Sequence, residues 1–263
     1  MFEILNKNKH LLISAVAFVV FLAVVQDVRQ NDIFSLDESA FNLFVLTLRR
    51  PWLTSIMEGF SNLSSPVVIG GMLIMVAAFA PGRRPGACAA LNLVCVVGIN
   101  QMLKYIVQRP RPEGFRLISE VGYSFPSGHS MVSMAFYGLC AWMVWNYERD
   151  RMVRWLCCVA YAFMVVGVGM SRVYLGVHYA SDVIAGFCIS IIWTVIYIKV
   201  VCPLFMPEEA ELHAEVVANP VYVEPERLYV ADDTSAMRAR HMRWQQEAGT
   251  KKKEHLARKD DPS

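Results

Sequence analysis

Apolar positions in this chain do not alternate with polar ones. They gather into long uncharged stretches at residues 10–26, 59–82, 85–103, 121–147, 155–171 and 183–198. A helix needs roughly 20 apolar residues to cross a hydrocarbon core, and the shorter stretches have flanking charges able to snorkel to the interface. The pattern predicts an all-α protein, a six-transmembrane-helix bundle. For the stretches at 155–171 and 183–198, buried helices of a soluble protein are the alternative. Between the first two spans, Ile33, Leu36, Phe41, Phe44, Val45 and Leu48 follow a partly helical rhythm, with Asp37 and Glu38 on the polar side. That spacing fits an interfacial helix between spans 1 and 2, or an ordinary structured loop.

Composition supports a membrane protein, because 55% of the chain is apolar, above the usual share in soluble domains. The first stretch follows Lys7 and Lys9 as a leader would. It runs into Val24-Val25-Gln26-Asp27 without a small-x-small exit, and so reads as a retained helix. The seven cysteines all lie in or at the ends of apolar stretches, with no Cys-x-x-Cys pair and no His partner at metal spacing. They read as small hydrophobes, and no metal site is expected.

Charge then orients the bundle. Lys7, Lys9, Arg83, Arg84, Arg149, Arg151 and Arg154 share one face by parity, which the positive-inside rule puts in the cytoplasm together with both termini. The connections at 27–58, 104–120 and 172–182 fall on the extracytoplasmic face of the plasma membrane. Residues 1–202 form the expected transmembrane domain. Residues 203–263 form a polar cytoplasmic tail, largely disordered, with a basic helix expected at 236–256 that either meets anionic headgroups or stays solvated.

Three polar blocks border the apolar stretches on the outer side. Lys104 and Arg111-Pro112 come first; Pro110 and Pro112 end the helix near residues 107–109, so that Arg111 sits on an extended segment. Pro126-Ser127-Gly128-His129 reads as a helix start, with Ser127 as cap, unpaired amides ahead of the dipole, and Gly128 permitting close approach. Ser171-Arg172 precedes His178 and Asp182, whose four-residue spacing puts them on one helix side, where a carboxylate can fix the imidazole tautomer. Arg172, a charge near a membrane core, is costly and therefore a functional candidate. Arg109 and Arg116 read as lipid headgroup contacts.

Together the blocks resemble the type 2 phosphatidic acid phosphatase superfamily, which includes bacterial acid phosphatases and vanadium haloperoxidases. Its pattern, Lys-x6-Arg-Pro, Pro-Ser-Gly-His and Ser-Arg-x5-His-x3-Asp, is filled at every position from Lys104 to Asp182. The resemblance implies an integral membrane lipid phosphatase, with His178, His129 and Asp182 catalytic and Lys104, Arg111, Ser127, Gly128 and Arg172 holding the phosphoryl group. It implies a phosphohistidine intermediate, no cofactor and no metal. Expected partners are the bilayer and a lipid phosphate or pyrophosphate of the undecaprenyl diphosphate, phosphatidylglycerophosphate or phosphatidic acid type; nucleic acid is not expected, and no protein partner is named. A vanadate-dependent haloperoxidase and a non-enzymatic lipid-phosphate binding or transport protein are the alternatives.

Overall fold

The computed structural model describes residues 9–30, 35–79, 84–148 and 150–205. Lys7, Arg83, Arg149, the start of the expected interfacial segment and the tail beyond 205, with its basic helix, lie outside them. The described residues are helical and contain no strand. Helix α1 is Lys9–Arg29, and α2 is Ser35–Phe41, continued by a π-helical turn Asn42–Thr47. Helices α3 (Pro51–Asn62), α4 (Pro66–Phe79), α5 (Arg84–Val107), α6 (Gly128–Tyr147), α7 (Arg151–Tyr174) and α8 (Ala180–Val200) follow, and the short α9 is Cys202–Phe205.

Four helices, α1, α5, α7 and α8, are long and apolar enough to cross a bilayer. The stretch at 59–82 is not one straight helix: Pro51–Asn62 and Pro66–Ala78 meet at 51° and make a fifth span only when taken together. Ser64-Ser65-Pro66 explains the break, since Pro66 cannot donate to the preceding turn and starts a helix well. The stretch at 121–147 turns helical only at Gly128, and α6 is not among the four. Its apolar run is interrupted by Ser130, Ser133, Trp142, Trp145 and Asn146.

The reason is position. Helix α6 packs against α5, α7 and α8 and buries Met131, Ala135, Phe136, Tyr137, Leu139 and Cys140 among them. A helix covered by protein on several sides can carry polar groups if each finds a partner. Asn92 donates to the Ala135 carbonyl at 2.9 Å and accepts from Trp193 Nε1 at 2.8 Å, while Tyr137 donates to the Leu63 carbonyl at 2.7 Å. Helix α1 packs along α8, and α3 along α7. The connections at 108–127 and 175–179 carry the site.

Candidate active site

Helix α5 ends as the prolines require. Gln108 takes a left-handed φ of 52° and donates its amide to the Lys104 carbonyl at 3.0 Å, closing the last turn before Arg109-Pro110-Arg111-Pro112 runs out as an extended strap. Ser124 donates its amide to the Arg109 carbonyl at 2.8 Å, which brings the strap's far end back. Arg111 is buried between them. Its Nε donates to the Gly122 carbonyl at 3.1 Å, Nη2 to Val121 at 3.2 Å and Nη1 to Val177 at 3.1 Å. A guanidinium held by three carbonyls keeps its direction without waiting for a ligand.

Ser127 caps α6, accepting from the Ser130 amide at 3.5 Å and from the Ser130 hydroxyl at 2.9 Å. Its own amide donates to the Asp182 carbonyl at 3.1 Å. Ser127 is thus fully buried, with its amide and an oxygen lone pair engaged inside the protein. The amides of Gly128 and His129 begin the helix and have no intrahelical acceptor. Gly128 has a packing reason as well, because a Cβ there would stand 3.0 Å from Asn100 Oδ1. Asn100 Nδ2 donates to the Pro126 carbonyl at 3.1 Å.

After α7 the chain turns at Gly176, whose φ of 73° and whose closeness to the Phe115 carbonyl, 2.6 Å from a notional Cβ, leave room only for glycine. This turn sets His178 on the loop just before α8 rather than on the helix, with Nδ1 3.4 Å from Asp182 Oδ2 and 3.3 Å from Ser124 Oγ. Ser124 donates to the same carboxylate oxygen, and the Tyr179 amide adds a bond to it at 3.0 Å. Nε2 faces Arg111 Nη1 at 3.2 Å. An arginine can only donate, so Nε2 is the lone-pair nitrogen and Nδ1 carries the proton. Burial pushes His178 down to about 4; Asp182 draws it back upward, and the Arg111 and Arg172 charges lower it. Its imidazole is neutral through the whole neutral range.

Arg172 is buried and donates to Glu120 and to Ser61 Oγ, while its Nε–H has no acceptor among the described residues. Glu120 also lies 3.5 Å from Arg111 Nη2. Burial works against the charge of Glu120, but Arg172, together with His129 and Arg111, outweighs it and holds the carboxyl below the usual range. Lys104 is half-buried and close enough to interact with Arg111, Glu120, Asp182 and Arg172, and His129 with Arg172, Glu120, His178 and Lys104. Ser171 turns away, donating to the Val168 carbonyl at 2.7 Å.

The three blocks therefore meet at one place. Among the described residues no three His, Cys, Asp or Glu side chains gather as metal ligands; what the site offers an anion is the side-chain cations Lys104, Arg111 and Arg172. Four further residues belong to this neighbourhood that the sequence had not marked as site residues: Ser124, Glu120, Arg109 and Asp37. Arg109 is not a headgroup contact, since its Nη1 bonds Asp182 Oδ1 at 2.7 Å and its Nη2 bonds Asp37 Oδ2 at 2.9 Å. Asp37, expected on a polar face, is buried. An acidic residue beside membrane-depth sequence was the available signal.

The chain is similar to known proteins. A model of the PAP2 superfamily matches residues 85–204. Phosphatidylglycerophosphatase B of Bacillus subtilis (strain 168) is 31% identical over 184 residues, spanning 66% of this chain and 88% of that protein. Lipid A 1-phosphatase of Rhizobium etli is 34% identical over 95 residues, 32% of this chain and 37% of that one. The crystal structure of a transmembrane PAP2 type phosphatidylglycerolphosphate phosphatase from Bacillus subtilis superposes with a TM-score of 0.65 at 27% identity, covering 71% of this chain and 94% of that one. Aquifex aeolicus LpxE gives 0.53 at 25% identity, over 64% and 98% respectively. With a relative at this identity aligned over most of its length, and every block of the pattern in place, the chain belongs to the PAP2 superfamily.

Proposed function

We propose that this integral membrane protein is a phosphatase that removes phosphate from a membrane lipid phosphate or pyrophosphate through a phosphohistidine on His178. The observation that carries this reading is the His178 ring itself, with Nδ1 turned to Asp182 and the Nε2 lone pair beside Arg111 at 3.2 Å. A buried neutral imidazole, oriented by a carboxylate and facing fixed cations, is an activated nucleophile for phosphorus. The phosphoryl group sits among Lys104, Arg111, Arg172 and the first amides of α6 at Gly128, with Ser127 shaping that turn. Nε2 forms the P–N bond as the P–O bond to the leaving group breaks, and His129 gives its proton to the departing oxygen. Water then passes a proton to His129 and attacks phosphorus; the P–N bond breaks, freeing phosphate and restoring the lone pair.

Both relatives act, by name, on phosphate carried by a lipid, and the site lies at the ends of α5, α7 and α8, where a headgroup would reach. Anchored chains would help hold the reacting phosphorus, so shortened substrates should lose turnover as well as affinity. Given undecaprenyl diphosphate, phosphatidylglycerophosphate, phosphatidic acid and a soluble aryl phosphate in detergent with chelator, the protein is expected to hydrolyse the long-chain lipids at least about tenfold faster than the aryl ester. Equal or better turnover of the soluble ester would remove the lipid from the reading.

The bundle we propose has six spans, counting α6 and the bent α3–α4 pair, with residues 1–202 as the phosphatase domain and 203–263 as a cytoplasmic tail. Both termini are then inside and the site outside. In a background without native cysteines, Glu113→Cys should react with an impermeant thiol reagent on intact cells and Glu148→Cys should not. The opposite labelling pattern puts the site in the cytoplasm.

A further inference from the structure

The pattern of the superfamily accounts for His178 and Asp182, but not for what stands behind them. Asp182 Oδ1 accepts from Arg109 Nη1 at 2.7 Å, and the same guanidinium gives Nη2 to Asp37 Oδ2 at 2.9 Å. Asp37 reaches in from α2 and is tied to the start of α8: it accepts from the Ser181 amide at 2.8 Å and from the Ser181 hydroxyl at 2.6 Å. Arg109 also gives Nη1 to Ser181 Oγ at 2.8 Å and lies over the Tyr179 ring, 3.9 Å from its centroid. Side-chain exposure is 12% for Arg109, 2% for Asp37 and 0% for Asp182. These charges therefore act on one another with little screening.

Their sum sets the charge that stands behind Nδ1 of His178. As Nε2 bonds to phosphorus, positive charge develops on the imidazole, and a negative charge behind Nδ1 stabilises it. Asp182 with Arg109 alone would present no net charge; Asp37 brings the triad back to one negative charge. We propose that Asp37 and Arg109 are positioning residues: Arg109 fixes the Asp182 carboxylate, and Asp37 returns the charge that Arg109 would otherwise cancel. The helix α2 thereby supplies part of the nucleophile's electrostatics from a segment outside all three motif blocks. This inference rests on the reading of His178 as nucleophile with Asp182 as its partner.

The test is steady-state hydrolysis of phosphatidylglycerophosphate by the purified full chain, with folding followed by thermal melting. Asp37→Asn, which keeps the shape and removes the charge, should lower kcat about tenfold or more and leave KM within about twofold. Glu38→Gln, at an exposed neighbouring position on α2, should leave both unchanged. The distinguishing variant is Asp37→Asn combined with Arg109→Gln, which loses more bonds but restores one net negative charge, and should turn over about fivefold or more faster than Asp37→Asn alone. Asp37→Glu, longer but charged, should also exceed Asp37→Asn.

A purely structural role orders these variants the other way, with the double change worst and the isosteric Asn best. Wild-type kcat for Asp37→Asn, or a double variant no faster than the single one, overturns the proposal. Either result with His178→Ala inactive would leave the phosphohistidine reading standing. An active His178→Ala would remove that reading, and this inference with it.

Discussion

Replacing His178 with Ala is expected to lower lipid phosphate hydrolysis at least about a thousandfold, on the order of what loss of a covalent nucleophile costs. No other buried imidazole nitrogen in the described residues is placed between a carboxylate at 3.4 Å and a fixed guanidinium at 3.2 Å. Water could replace it only by entering a space lined by the cations without the Asp182 partner that orients the ring. Asp182→Asn should leave somewhat more activity, because Ser124 Oγ, 3.3 Å from Nδ1, still faces that side of the ring while the charge is gone. The measurement is turnover of purified, folded protein on a long-chain lipid phosphate. A folded His178→Ala enzyme keeping more than about a tenth of wild-type turnover would reject the nucleophile assignment.

The second large effect belongs to Arg172. Its side chain is 1% exposed, its Nη groups bond Glu120 and Ser61, and its Nε–H has no acceptor among the described residues. A buried cation with a spare donor is suited to oxygens whose charge grows as the P–O bond breaks. Arg172→Gln should therefore lower kcat about a hundredfold to a thousandfold. Arg172→Lys should restore little of it, since one ammonium cannot hold Ser61 and Glu120 and also face a phosphoryl oxygen. Arg116→Gln is the companion control: that side chain is exposed and, among the described residues, bonds backbone carbonyls of its own strap, Pro112 and Arg111. Equal losses for Arg172→Gln and Arg116→Gln, or full activity of a folded Arg172→Lys enzyme, would count against the assignment.

Much of this site could be read from the chain because its members announce themselves locally. Pro110 and Pro112 forecast the end of α5, and Ser127 forecast the cap of α6, from the conformations those residues allow. His178 and Asp182 were expected on one side of a helix; His178 instead precedes α8, whose N-cap is Tyr179, yet the structure still puts their polar atoms 3.4 Å apart. What escaped notice depends on pairing between distant segments. Asp37 and Arg109 are 72 residues apart, and each alone looks like an ordinary interfacial charge. Their burial follows only once α2 docks on the start of α8. Ser124, four residues before the α6 start, had no periodicity to mark it.

The spans were legible to a similar degree. The apolar runs containing α1, α5, α7 and α8 became helices apolar enough to cross a bilayer. The run at 59–82 concealed a bend, since hydropathy does not register Ser64-Ser65-Pro66 as an interruption, although backbone chemistry does. Helix α6 has the reverse character, being long enough but interrupted by polar residues such as His129, Ser130, Ser133 and Asn146, in an environment that is protein on several sides. Apolarity measures contact with lipid and says little of a helix enclosed by its neighbours.

The turn that starts α6 is spaced from its neighbours by backbone and short side chains rather than by pliable ones. On one side a Cβ at Gly128 would stand 3.0 Å from Asn100 of α5, and on the other a Cβ at Gly186 of α8 would stand 3.0 Å from the Ser127 carbonyl. Contacts this close have no long rotamers to absorb a displacement. A shift of α5 or α8 at these two contacts would therefore move the Ser127-Gly128 turn with it, because neither neighbour has a long side chain to give way.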